Sequence, residues 1–331
     1  MSRRLILHCG PPKTGTSALQ AHLIAAPPTG LTYPETGRWP DGAHHLLTFS
    51  FKGIGQRGAI EIPPWDSLHR TLVHELDQIQ GDVILSSELL DPQTTPEFLN
   101  AVQNAVNEPF ETVQTLVVLR HPLERSASDY NQNIKDPVIW EKRFPDKYLR
   151  ETAQNHRLAG YVKKWTNCAC PPTFVSYHPA DTLLGRIMDA MGHPQTLETA
   201  PRRNRSINGF GVVALLAAHR LDLAPEARAT LFDTLRKARE NRIWSGDSFP
   251  FSKPASTTYL TDIKQDLHDT KTLTGIDLTG LYPEPPKRFR LTPQQVSALV
   301  DLFAPFDLTP AKQDKLHHIL ERFAPNKRPS A

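Results

Sequence analysis

The chain has 331 residues, 38 basic and 35 acidic, for a net charge of +3. That length suits one large α/β domain or two ordinary ones with a sizeable core. The charge balance is too even to argue for nucleic acid or a membrane surface as partner, so an anionic ligand must be met by local clusters. The 30 prolines, with apolar runs continuing throughout, predict many punctuated loops rather than disorder.

The apolar run Leu5–His8 reads as a buried strand. Directly behind it stands Gly10-Pro-Pro-Lys-Thr-Gly-Thr-Ser17, a turn that opens a helix over Thr16–Ala26. Such a turn aims backbone N–H groups at an anion, and the helix N-terminus adds positive potential. Gly10 and Gly15 permit close backbone approach, Lys13 supplies a mobile charge, and Thr14, Thr16 and Ser17 supply hydroxyls. A nucleotide triphosphatase loop reads G-x-x-x-x-G-K-[ST]. Here the lysine position holds Thr16, and the lysine stands earlier, at Lys13. The alternative is a corner where Gly and Pro only set geometry.

Further strands are predicted at Val83–Ser86, Thr115–Leu119 and Thr173–Tyr177, with helices at Ser67–Gln80, Pro96–Val106 and Pro122–Lys135 between them. Strand alternating with helix implies a parallel sheet with helices on both faces and ligands at the carboxyl ends of its strands. His8–Gly10, Ser87–Glu88 and Arg120 each follow a strand directly and are expected to converge on one crevice. The second half reads as mostly helical, over residues 207–221, Pro225–Glu240 and Thr292–Phe303, with an aromatic loop at Arg242–Thr258 and a frayed tail from Pro325. The expected organisation is a single domain over 1–331, with a core over about 1–200 and a helical C-terminal extension over about 201–325.

Cys9, Cys168 and Cys170 are a sparse, odd set, as in a reduced cytoplasmic protein. Cys168-Ala-Cys170 lacks a second ligand pair nearby, so no metal is expected. The apolar stretch after Met1-Ser-Arg-Arg is too short for a signal-peptide core, and no run reaches transmembrane length. The expectation is therefore a cytoplasmic protein with no membrane span, in which Asn204-Arg-Ser206 is not a glycosylation site.

The segment Leu119-Arg-His-Pro-Leu-Glu-Arg-Ser-Ala-Ser-Asp-Tyr130 places Arg120 at a strand end and Pro122 in a first helical turn. Arg125 and Ser128 lie three apart on one helix face, and Arg120 with Ser128 can flank an anion. Its pattern R-x-P-x-x-R-x-x-S-x-Y, matched at Arg120, Pro122, Arg125, Ser128 and Tyr130, resembles the 3′-phosphate signature of sulfotransferases. These enzymes use 3′-phosphoadenosine 5′-phosphosulfate (PAPS), and the likeness is greatest to their carbohydrate-type members. The loop with its early lysine resembles their 5′-phosphosulfate loop, in the family's order and spacing. The two motifs cover about a tenth of the chain.

The resemblance implies a three-layer P-loop-like α/β fold. It implies PAPS as co-substrate, 3′,5′-ADP as product and no metal, with Lys13, Thr14, Gly15, Thr16 and Ser17 on the 5′-phosphosulfate and Arg120 and Ser128 on the 3′-phosphate. It also makes Glu88 the general base and Lys13 the catalytic cation, for a hydroxylated small-molecule or carbohydrate acceptor. Capping of the next turn by Glu88, or its pairing with Arg120, is the structural alternative. His44 and His45 are rival bases or acceptor contacts. The acceptor pocket is expected from residues 30–66 and 240–258. Arg202, Arg203 and Arg205 form a basic turn suited to the nucleotide, to an anionic acceptor or to solvent. Trp39, Trp65 and Trp244 could stack on a sugar or adenine, with core packing as the alternative. The rival activities are a P-loop kinase or nucleotide triphosphatase, which would need lysine at position 16, and a non-catalytic nucleotide-binding protein.

Overall fold

The computed structural model describes residues 3–136, 139–195, 207–237 and 247–324. Its strands are β1 (Arg4–Cys9), β2 (Leu31–Thr32), β3 (Gln56–Arg57), β4 (Ile60–Glu61), β5 (Asp82–Ser86), β6 (Thr112–Leu119) and β7 (Thr173–Ser176). The helices of the first half are α1 (Thr16–Ala25), α2 (His45–Phe51), α3 (Trp65–Leu76), α4 (Thr95–Gln103), α5 (Pro122–Lys135), α6 (Pro145–Thr152) and α7 (Ala159–Thr166). Those of the second half are α8 (Leu183–Ala190), α9 (Gly209–Arg220), α10 (Pro225–Lys237), α11 (Lys253–Asp262), α12 (Lys264–Thr274), α13 (Pro293–Phe303) and α14 (Pro310–Glu321).

The chain divides into two compact units. The first comprises Met1–His121, Arg157–Asn204 and Gln265–Thr279. It holds a five-stranded sheet in the order β2-β5-β1-β6-β7, parallel throughout. Parallel strands joined by helical crossovers must be apolar on both faces, and the residues alternate accordingly. Ile6, Ile84, Leu116 and Val118 pack with Leu19 and Leu23 of α1 and with Leu183, Ile187 and Met188 of α8. Leu5, Leu7, Val83, Leu85, Val117 and Leu119 point to the opposite face and are equally buried. The three-layer α/β architecture expected from the sequence is therefore present.

The second unit comprises Pro122–His156, Arg205–Lys264 and Gly280–Ala331. It is helical. Its α9 is buried along its whole length save Arg220, and Asn208 caps it by accepting from the Gly211 N–H at 3.0 Å. Tyr130 of α5 packs edge-on against Tyr148 of α6 at 5.0 Å between ring centroids.

The predicted strands and the helix over Pro122–Lys135 agree with the structure to within a few residues. Two differences stand out. Residues 30–66, expected as loop, contain α2 and the β3–β4 hairpin. The expected loop Arg242–Thr258 ends early, because α11 starts at Lys253. Ser252 caps α11 by accepting from the Ala255 N–H at 3.3 Å, and Pro254 suits its first turn. Threonine and serine are poor helix formers in isolation, which hid α11 from a pattern reading. Residues 238–246, 202–206 and 325–331, with Trp244 and the Arg202–Ser206 turn among them, lie outside the described residues.

One buried carboxylate ties distant segments of the first unit. Asp266 of α12 accepts from the N–H groups of Leu158 and Ala159 at 2.9 and 3.0 Å, capping α7 from another element. Removing it strands two buried donors. Asp266→Ala is expected to destabilise the protein by about 2–3 kcal/mol in chemical denaturation. Asp266→Asn keeps one accepting oxygen and loses less.

Candidate active site

The first unit gathers the predicted loop residues at the carboxyl ends of its three middle strands. The chain leaves β1 through Gly10 at φ 130°, Lys13 at φ 69° and Gly15 at φ 89°. These positive dihedrals curl the backbone around a concavity. Glycine is needed at both outer positions: a Cβ on Gly10 would meet Val117 Cγ1 at 3.2 Å, and one on Gly15 would meet Leu183 Cδ2 at 2.5 Å. Lys13 pays the strain of a left-handed backbone that a side chain rarely adopts. The Thr14 hydroxyl donates to the Pro11 carbonyl at 2.9 Å and pins the curl from within.

What the loop leaves open is as informative. Among the described residues, no protein acceptor meets the backbone N–H of residues 13–17, and helical bonding resumes only with Ala18 and Leu19 donating to Gly15 O. The Thr16 side chain is 3% exposed, yet its hydroxyl has no hydrogen-bond partner in the protein. Ser17 is exposed and Lys13 half-buried. Uncommitted donors on a left-handed turn at a helix N-terminus form an anion cradle.

Arg120 follows β6 and reaches across to this loop. Its Nη1 donates to the Lys13 carbonyl at 2.7 Å, and its guanidinium lies over the Tyr177 ring at 4.3 Å. Tyr177 follows β7 and is held by its N–H donating to Leu119 O at 2.8 Å. Arg120 is thus a brace for the strained Lys13 as well as a cation beside the loop.

Glu88 follows β5 by two residues. Burial pushes its carboxyl above the ordinary glutamate range. The Thr16 hydroxyl and the Lys13 ammonium pull it back, and the Asp41 carboxylate pushes it up again. Thr16 is near enough to act on Glu88 electrostatically without meeting it in hydrogen-bond geometry. Lys13, Thr16 and Glu88 therefore share one site, as topology predicts for β1 and its neighbour β5.

Beneath Glu88 lies a polar network that the sequence reading did not assemble. Ser86 Oγ contacts His8 Nδ1 at 2.8 Å and accepts from Gln20 Nε2 at 3.1 Å. The Ser86 N–H donates to His44 Nδ1 at 3.0 Å. That fixes the His44 proton on Nε2, which donates to Pro34 O at 2.9 Å. His44 is thereby fully committed, and its role as a rival base is withdrawn. His45 remains half-buried, with Nδ1 3.0 Å from Ser87 Oγ, and burial lowers its pKa. Only the ends of strands hinted at this layer, since His8 is the last residue but one of β1 and Ser86 the last of β5.

Ser128 is half-buried on α5 in the second unit. Arg125 and Tyr130 serve structure there: Arg125 donates to His156 Nδ1 at 3.2 Å and to Asn155 O at 2.6 Å, and the Tyr130 hydroxyl donates to Arg143 O at 3.0 Å. Trp39 packs edge-on to Phe49 at 5.4 Å, and Trp65 stacks on His69 at 4.8 Å. Cys9 is buried and Cys168 and Cys170 half-buried, all as free thiols. Among the described residues, no cluster of His, Cys, Asp or Glu suits a metal ion, and no helix is long and apolar enough to cross a membrane.

No family model matches the chain, and no curated protein is similar to it. Among the solved structures that share similarity are two sulfotransferases. A sulfotransferase from Alicyclobacillus acidocaldarius is 13% identical over 84% of this chain and 98% of its own, with a TM-score of 0.46. Mouse sulfotransferase SULT7A1 complexed with PAP is 12% identical over 95% and 88%, with a TM-score of 0.37.

Burial lowers the pKa of both His8 and His44 to about 4. Their unfolded values are near 6.5, so the unfolded chain gains protons first as pH falls. Stability is fully present above about pH 6.5 and declines toward pH 4, by about 3 kcal/mol per histidine. Urea denaturation across that range checks this, and His44→Gln should flatten the slope.

Proposed function

We propose that the protein is a PAPS-dependent sulfotransferase, with a hydroxylated small molecule or carbohydrate as acceptor. The observation that carries this reading is the loop itself: free amides and an unpartnered Thr16 hydroxyl stand beside Lys13, with a partly buried glutamate facing them. An adenosine phosphosulfate presents an anion for the cradle and a second phosphate for a separate cation. The sequence offers both grips, in Gly10–Ser17 and in the Arg120–Tyr130 segment.

In this mechanism the amides of residues 13–17 hold the 5′-phosphate, while Arg120 and Ser128 serve the 3′-phosphate. Glu88 accepts the proton of the acceptor hydroxyl as its oxygen attacks sulfur. The new O–S bond forms in line with the S–O bond that breaks, and the electron pair leaves with the phosphate of 3′,5′-ADP. Lys13 neutralises charge growing on that bridging oxygen, where the transition state needs it most. General-base catalysis contributes ~10²–10⁴-fold. The raised pKa of Glu88 suits the task, because a base is most effective near the working pH.

The kinase reading is disfavoured by Thr16 in place of the P-loop lysine and by the cation, rather than carboxylate, that follows β6. Thermal-shift measurements separate the readings: 3′,5′-ADP should stabilise the protein without Mg²⁺, and a preference for Mg-ATP would overturn the assignment. With labelled PAPS and a panel of hydroxylated acceptors, Lys13→Ala and Glu88→Gln should each abolish transfer, and Glu88→Gln should still bind 3′,5′-ADP. The wild-type rate should fall as pH drops through a pKa above the ordinary glutamate value of about 4.3. Near-normal turnover by Glu88→Gln would sink the base assignment.

A further inference from the structure

The helical second unit contains a cleft of about 260 Å³ lined by Phe144, Asp146, Lys147, Arg150, Arg288 and Arg322. Four of these side chains are cations and one is a carboxylate. The carboxylate is already engaged: Asp146 accepts from the Ser252 N–H at 2.8 Å and lies 3.9 Å from Arg288. Glu151, on the same helix, is divided between Arg143 at 3.3 Å and Lys147 at 3.7 Å. Four cations against these two acids leave a surplus of two positive charges at the cleft.

The same cleft takes in the first turn of α6. Phe144 stands at its N-cap and offers no side-chain acceptor. Among the described residues, no protein acceptor meets the N–H of Asp146 or Lys147. Orphan amides at a helix start carry the positive end of the helix dipole, so backbone and side chains add to one field.

Two of the arginines are fixed by packing. Arg288 is 16% exposed and donates through Nη2 to Arg322 O at 3.0 Å. Arg290 donates to the same carbonyl at 3.1 Å. The Arg322 guanidinium lies over Phe144 at 4.0 Å, and that of Arg288 over Phe323 at 5.2 Å. Burial, and then the charges of Arg290 and Arg322, lower the pKa of Arg288 against the opposing pull of Asp146. Arginines crowded in this way repel one another, and an anion between them removes the repulsion.

We propose that this cleft binds a divalent tetrahedral oxyanion, phosphate or sulfate, either free or as the terminal group of a monoester. The surplus of two charges matches a dianion, whereas a single carboxylate ligand leaves half of it unbalanced. Arginine forks and helix amides are donors that such an oxyanion accepts from several directions at once. The volume is several times a water's share of about 30 Å³, so the ion fits with waters beside it. The site lies wholly in the second unit and does not depend on what the loop at Gly10–Ser17 binds.

The experiment titrates the full chain by calorimetry with sodium phosphate, sodium sulfate and glycerol 3-phosphate, and with sodium acetate as the monovalent control. Mildly alkaline pH keeps phosphate dianionic. Constant ionic strength and millimolar ligand hold screening and general salt effects fixed. The three oxyanions should bind, and Lys147→Ser with Arg150→Ser, both exposed positions on α6, should weaken phosphate about tenfold. The loop of the first unit is itself an anion cradle, so a Lys13→Ala chain is titrated in parallel, and the binding lost in the α6 variant should persist in it. Unaltered phosphate binding in the α6 variant overturns the site, as does absence of binding by the unaltered chain. Acetate binding as tight as that of phosphate overturns the divalent class. Tighter binding of glycerol 3-phosphate than of free phosphate supports the site with an ester as its ligand, and the reverse order supports it with the free ion.

Discussion

The candidate site depends on one hydrogen bond, from the Arg120 guanidinium to the Lys13 carbonyl at 2.7 Å. Lys13 occupies a backbone region that costs roughly 1–2 kcal/mol for a residue with a Cβ. A loop whose amides face outward has no internal ladder to offset that cost. The brace comes from the neighbouring strand, and Arg120 is itself seated on Tyr177 from the strand beyond. Three adjacent strand ends, β1, β6 and β7, thus hold the loop open in the shape an anion requires. A charge-assisted bond is about twice as strong as a neutral one, which suits a contact that must hold strain.

The same economy explains the layer under Glu88. A carboxyl group with a raised pKa needs a dry setting, and dry settings punish unpaired polar atoms. Ser86, Gln20, His8 and His44 meet part of this by bonding to one another, while the buried His8 Nε2 stays without a partner. His44 is held neutral with both ring nitrogens engaged, so it supports the strand end instead of competing for the proton. Glu88 is left as the partly buried acid whose ionisation is set first by its burial and then by Thr16, Lys13 and Asp41.

The sheet and the loop were legible because both are local. Runs such as Leu5–His8 and Thr115–Leu119 announce buried parallel strands, and Gly10 and Gly15 mark turns that only glycine accommodates. Convergence of Lys13, Glu88 and Arg120 followed from topology, since their strands are neighbours in the order β5-β1-β6. What escaped was non-local or weakly patterned. Nothing in the sequence near Asp266 tells that it caps α7 more than a hundred residues away. The helix α2 begins at His45 and holds Thr48, Phe49, Ser50 and Phe51, residues whose weak helix propensity argues against helix. Tyr177 under Arg120 was invisible for the same reason: a cation–π contact needs two strand ends in register, not a motif.

The motif Arg120–Tyr130 also proves less uniform than its spelling suggests. Arg120 belongs to the loop of the first unit, whereas Arg125 and Tyr130 are buried in the second among His156, Asn155 and Arg143. A pattern read as one phosphate grip is thus partly a folding device. Pro122 starts α5 directly after the strand, Arg125 anchors the helix to the turn at residues 153–156, and Tyr130 fixes its far half against α6. Five matching positions in a sequence therefore do not mean five ligand contacts. Of the five, Arg120 and Ser128 are half-buried, whereas Pro122, Arg125 and Tyr130 are buried.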